Sequence, residues 1–238
     1  MIVLRRNSER LHVKRGKHVS WLTFYPQKPP GPSTDEFGVL ASLNEIRMPP
    51  GDGSASFPTE DAEIVTYVFR GALAQEDSTG SSGVVHVGEF QRINICRGIR
   101  LKETNASRTD WAHIFRVVLR PSELGLVRAN EQQRFATAQR HNVLCVVASP
   151  DGRKNSLRIS QDAFIYSAVL DPGRHLIHEL LPGRSAWLHL IYGEATMQDM
   201  IMTQGDGGGV TIEPSVSLTA QENVELLLID VGPTPRSS

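Results

Sequence analysis

The side chains that could do chemistry are scattered along the chain. His175 and His178 stand as H-x2-H, with His189 further on, and imidazoles grouped in this way can hold a divalent metal. The spacing is not that of a zinc site, because no cysteine or carboxylate is fixed beside it. Structural or pocket-lining roles suit the three histidines better. His86 sits in the run VVHV, where alternation puts it on one face with Val84 and leaves Val85 and Val87 on the other. Acidic residues gather at Glu60, Asp61 and Glu63. Cys96 and Cys145 lie in separate apolar runs and read as buried free thiols of a reducing compartment. There is no G-x-S-x-G elbow and no phosphate-binding loop. The GDGGG at 205–209 lies between β-type runs with no helix opening after it, so it reads as a hairpin turn.

Composition removes several classes of partner. Lys and Arg number 25 against 26 Asp and Glu, a formal charge of −1 that offers no electrostatic footprint for nucleic acid or an anionic membrane. The basic cluster of Arg5, Arg6, Arg10, Lys14, Arg15 and Lys17 is interrupted by Glu9 and histidines, as on a solvated strand edge. No apolar run approaches the roughly 20 residues that span a bilayer. The opening MIVLRRNSER is too short in its apolar part for a signal peptide, and a cytoplasmic protein is expected.

The elements that must position these groups are strands. Between residues 53 and 103 short β-type runs alternate with turn residues: IVTYVF, STGSSG, VVHV, a glycine and FQRINI. That rhythm predicts small antiparallel strands closed into a barrel. MIVL and HVSWLTF before it could flank the same barrel, with the Pro/Gly-rich QKPPGPSTDEFG as a loop. Residues 122–141 are polar and read as a linker or crossing segment holding one short helix. A second β-rich half follows, with PDG, DPG and LPG as tight reversals. The expected organisation is an N-terminal barrel over 1–121, a linker over 122–141, a C-terminal barrel over 142–232 and a disordered tail over 233–238.

The first half, PTEDAEIVTYVFRGALAQEDSTGSSGVVHVGEFQRINICRGIRLKETNAS, resembles the metal-binding half of the pirin family, which includes bacterial quercetinases. The second half is similar to that family's second cupin through GRSAWLHL and the closing ELLLIDV. The resemblance implies an all-β bicupin, two stacked antiparallel barrels from one chain. It also implies an iron-type metal in the N-terminal barrel, held by three His and one Glu. Such a set leaves open positions for substrate or oxygen. Carried over position by position, those ligands fall on Phe57, Thr59, Leu101 and Glu103, and only Glu103 keeps its type. The family's His in its HxDS turn is Gln75, the Gly of its AGRG turn is Cys96, and its HTFSF segment is shortened to LTFY.

Phenyl and isobutyl groups have no lone pair to give and a threonine hydroxyl is a poor ligand. The expectation is therefore a lost family metal site and no cofactor. Glu103 carries two readings. It is an acid or base whose pKa is raised by Phe57 and Leu101, or a leftover carboxylate bonded to Arg97, Arg100 or Lys102. His86 with the nearby acidic residues is the alternative set from which a site could be rebuilt. The functions that follow are a binding or regulatory module taking a small apolar or aromatic ligand or a protein partner, and an enzyme. The enzyme is quercetinase-like with a rebuilt metal site, or metal-free and acting through Glu103. A structural role, pairing with a metal-bearing relative, is the third.

Overall fold

A computed structural model describes residues 1–24, 37–54, 61–95, 98–122 and 129–233. Strands dominate these residues, and they divide into two compact units. Phe57, Thr59, Glu60, Cys96 and Arg97 lie outside the described residues, as do most of the proline-rich loop and of the tail.

One unit is built from the chain between Leu11 and Arg134, apart from a short excursion at Phe37–Val39. Its seven-stranded sheet runs in the order Asn130–Arg134, Glu89–Ile95, Ala62–Arg70, Ala112–Leu119, Leu40–Met48, His18–Leu22 and Leu11–Arg15. A four-stranded sheet faces it, ordered Gly53–Ser54, Leu101–Asn105, Ala72–Asp77 and Ser82–His86. The central strands read as near-continuous apolar runs because both of their faces are covered. Alternation along Ala112–Leu119 puts Ala112, Ile114, Arg116 and Val118 on one face, and Ala112 and Ile114 pack there with Met48, Val68 and Leu73.

The other unit repeats the plan. Its seven-stranded sheet is ordered Ile2–Arg5, Gly207–Thr211, Ser185–Tyr192, Val224–Val231, Ala163–Leu170, Cys145–Ser149 and Leu157–Arg158. The facing sheet holds His175–Glu179, Ser215–Ala220, Ala195–Met197 and Met200–Met202. The core between them draws Leu188, Leu190, Leu226 and Leu228 from one sheet and Leu176 and Leu218 from the other.

Three expectations about organisation differ from this arrangement. Residues 2–5 do not flank the first barrel: they pair antiparallel with Gly207–Val210 and count with the second unit. Part of the linker is structural, since Asn130–Arg134 adds a strand beside Glu89–Ile95, while Thr137–Arg140 forms one short helical turn. The GDGGG run is not a hairpin turn. Gly207–Gly209 lie inside a strand between two neighbours, and the absence of side chains makes room for others. A Cβ on Gly207 would stand 2.3 Å from the Trp187 ring, and one on Gly208 2.3 Å from Met197 Cε.

Candidate functional site: a buried carboxylate–guanidinium centre

Glu103 occupies the middle of Leu101–Asn105, directly opposite Gln75 in the antiparallel register. Alternation turns both side chains inward, and both are buried. Gln75 Nε2 donates to Glu103 Oε1 at 2.9 Å. From the facing sheet, Arg116 Nη2 donates to Glu103 Oε2, completing an ion pair whose side chains are each 2 % exposed. Arg116 stands between Thr66 and Asn44 in its own sheet. Leu101 packs with Ala62, Ile64 and Ile95, which gives the centre an apolar wall.

The partner of Glu103 is thus neither Arg100 nor Lys102, the described residues of the expected set. Lys102 alternates to the outer face and is exposed, and Arg100 is exposed as well, its amide donating to Ser78. Arg116 went unnoticed in the sequence. The signal was present, because an arginine in the middle of the apolar strand AHIFRVVL must bury its charge against a partner.

His18 is a second residue that sequence reasoning missed. Its Nδ1 lies 3.9 Å from Asp52 Oδ2, and the charges of Glu103 and Arg116 act on it. Burial pushes its pKa below the ordinary imidazole value, opposed by Asp52.

Among the described residues the alternative ligands are not brought together. His86 is exposed while its neighbour Val85 is fully buried, so VVHV presents Val85 to the core and His86 to solvent. Val84 and Val87 are exposed as well. His175 is exposed and bonds Thr219 Oγ1 at 2.9 Å. His178 points inward and meets Asp230, whereas His189 is buried on the face of its strand opposite Leu188 and Leu190. Glu63 is buried on the face opposite Ile64. Cys145 is a free thiol, half-buried, with its pKa pushed up by burial. A groove of about 290 Å³ involving Ala74, Val84 and Thr104 opens on the outer face of the four-stranded sheet, away from the inward Glu103 side chain.

A divalent metal of the expected kind needs three or more donors. Among the described residues no group of three His, Cys, Asp or Glu could hold one. At the centre itself Leu101 has no lone pair, Gln75 turns its NH2 toward Glu103, and a guanidinium occupies Oε2. The residues described there do not fit the family's metal.

Residues 17–118 match the family described as Pirin, and residues 146–231 match the quercetinase C-terminal cupin domain. The quercetin 2,3-dioxygenase of Escherichia coli K12 is 33% identical over 233 residues, 98% of this chain and all of that protein. The chain belongs to the pirin family. Its fold is a bicupin, and the crystal structure of YhhW from Escherichia coli matches it with a TM-score of 0.92 at 32% identity, covering both chains completely. A pirin-like protein of Caulobacter vibrioides is 27% identical over 92% of this chain and 93% of its own.

One expectation is corrected by a further member. Bacterial pirin YhhW in complex with nickel(II) matches this pirin-family chain with a TM-score of 0.90 at 32% identity, over 98% of this chain and all of that one. An expectation of no cofactor conflicts with such a relative and is withdrawn. Two of the replaced positions, Phe57 and Thr59, belong to residues outside those described. As for membranes, no helix among the described residues is long and apolar enough to cross one.

Proposed function

We propose that this pirin-family chain binds a small hydroxylated aromatic molecule in its first barrel, with Glu103, Arg116 and Gln75 as the polar floor. The observation that carries the reading is the buried Arg116–Glu103 pair, which commits the retained carboxylate to a guanidinium. Leu101, Ile64 and Ile95 supply an apolar wall of the kind that takes a flat ring. Gln75 Oε1 is a buried acceptor with no partner among the described residues, and a ligand hydroxyl would satisfy it. In this reading the chain retains the family's recognition of an aromatic molecule but not its oxygen chemistry at Glu103.

A second reading is favoured by the full-length likeness to a quercetin 2,3-dioxygenase and to a nickel(II) complex. In it the chain is a dioxygenase whose metal is held with help from residues outside those described. One experiment separates the two. Quercetin is titrated into the protein without oxygen, then oxygen uptake is followed after adding Ni(II), Fe(II) or Mn(II), with metal content measured before and after. The first reading expects saturable binding that Gln75→Leu weakens about tenfold, and no oxygen uptake. Stoichiometric metal with oxygen consumed in step with quercetin would replace it by the second.

A further inference from the structure

The second barrel carries a polar and aromatic cluster that the reading above leaves unused. It lies where the strand Ala163–Leu170 begins, with Asp230 opposite Phe164 and Ala186 in the register. Asp230 is buried, and its two oxygens are engaged separately: Oδ2 faces His178 Nε2 at 2.9 Å and Oδ1 accepts from Arg184 Nε at 2.6 Å. A carboxylate can only accept, so His178 Nε2 carries the hydrogen, and in the neutral ring Nδ1 is left as an acceptor. Among the described residues no hydrogen bond reaches that Nδ1 or the hydroxyl of Tyr166. The Tyr166 ring packs on His178 with centroids 4.9 Å apart, and Phe164 stacks beside Tyr166 at 6.4 Å.

The charges of this cluster are matched internally. Arg184 answers Asp230 and Asp162, and Arg153 answers Asp151. Both guanidiniums also lie over the Phe164 ring, at 4.7 and 5.2 Å. Among the described residues of this cluster no cation is left over to recruit an anion, while an oriented imidazole acceptor stands beside an aromatic shelf. We infer that this end of the second barrel binds a small uncharged phenol, whose O–H donates to His178 Nδ1 and whose ring lies on Tyr166 and Phe164. Asp230 is the positioning residue that fixes the imidazole tautomer.

The probe is 4-methylphenol, titrated into the whole chain in mildly alkaline buffer, where a phenol and an ordinary imidazole are both uncharged, and followed by NMR of aromatic and methyl signals. The expected result is saturable binding with the largest shifts on the His178 and Tyr166 rings. His178→Phe, which keeps a ring but removes the acceptor, weakens binding about tenfold. No saturation, binding by His178→Phe equal to wild type, or shifts centred on the Leu101 methyls would each overturn the inference, the last by placing the phenol in the first barrel. Should His178→Phe fail to fold, the shift map of the wild type decides alone.

Discussion

Both barrels place a carboxylate on an inward-facing strand position and answer it with an arginine, but they do so in different surroundings. In the first, Glu103 and Arg116 come from facing sheets, and each is 2 % exposed. In the second, Arg184 joins Asp230 to Asp162, whose side chain is 59% exposed, and His178 shares the carboxylate. One pair is sealed, while the other, with side chains 9% and 6% exposed, continues through Arg184 to the exposed Asp162 at an open end. An enclosed pair has lost its hydration, so each charge depends on the other, whereas a pair at an open end can exchange partners with water or a ligand.

The largest expected effect tests the sealed pair. Arg116→Leu strands the Glu103 carboxylate, at a cost of about 3–5 kcal/mol in urea unfolding. The double variant Arg116→Leu with Glu103→Leu recovers much of that loss, because no unpaired charge remains. If Arg116→Leu cost no more than Arg184→Leu, the contrast between the barrels would collapse.

Acid should find the first barrel through His18. Its pKa is lowered in the folded state, chiefly by burial, so the unfolded chain binds more protons below the ordinary imidazole value. Stability is accordingly unaffected by this group in alkali and falls as pH drops below about 6.5. Unfolding curves across that range should show the decline, and His18→Asn should flatten it. An unchanged slope in the variant would assign the decline to other groups.

The smallest effect belongs to the rim of the second barrel. Arg153 and Asp151 form a solvent-exposed pair between residues two apart in a turn, and such pairs contribute little. Arg153→Ala should leave the melting temperature where it is. A clear drop would mean that its stacking over Phe164 matters more than its charge.

Much of the architecture was legible because alternation and turn residues are local signals. The runs around Ala62–Arg70 and Ala163–Leu170 announced themselves as strands before any pairing was known. What could not be read is which distant strand each edge would join. The pairing of Ile2–Arg5 with the strand at Gly207 depends on a non-local choice, and the glycines there look like turn residues until Trp187 and Met197 are seen against them. The site was legible at Glu103 and Leu101 through the family resemblance, which put ligand positions there, and the strand register shows why both face inward. Arg116 was overlooked although it interrupts an apolar strand, and its partner could not be read because Glu103 lies in another sheet.

The pairing of residues 2–5 has a consequence for biosynthesis. The second unit is discontinuous in sequence, with most of the first inserted between its opening strand and the rest. On a ribosome the opening strand emerges about 200 positions before its partner, and must wait unpaired while the inserted unit folds. Assembly is therefore nested: the inner unit can mature during translation, and the outer one closes only after the strand at Gly207–Thr211 has left the exit tunnel.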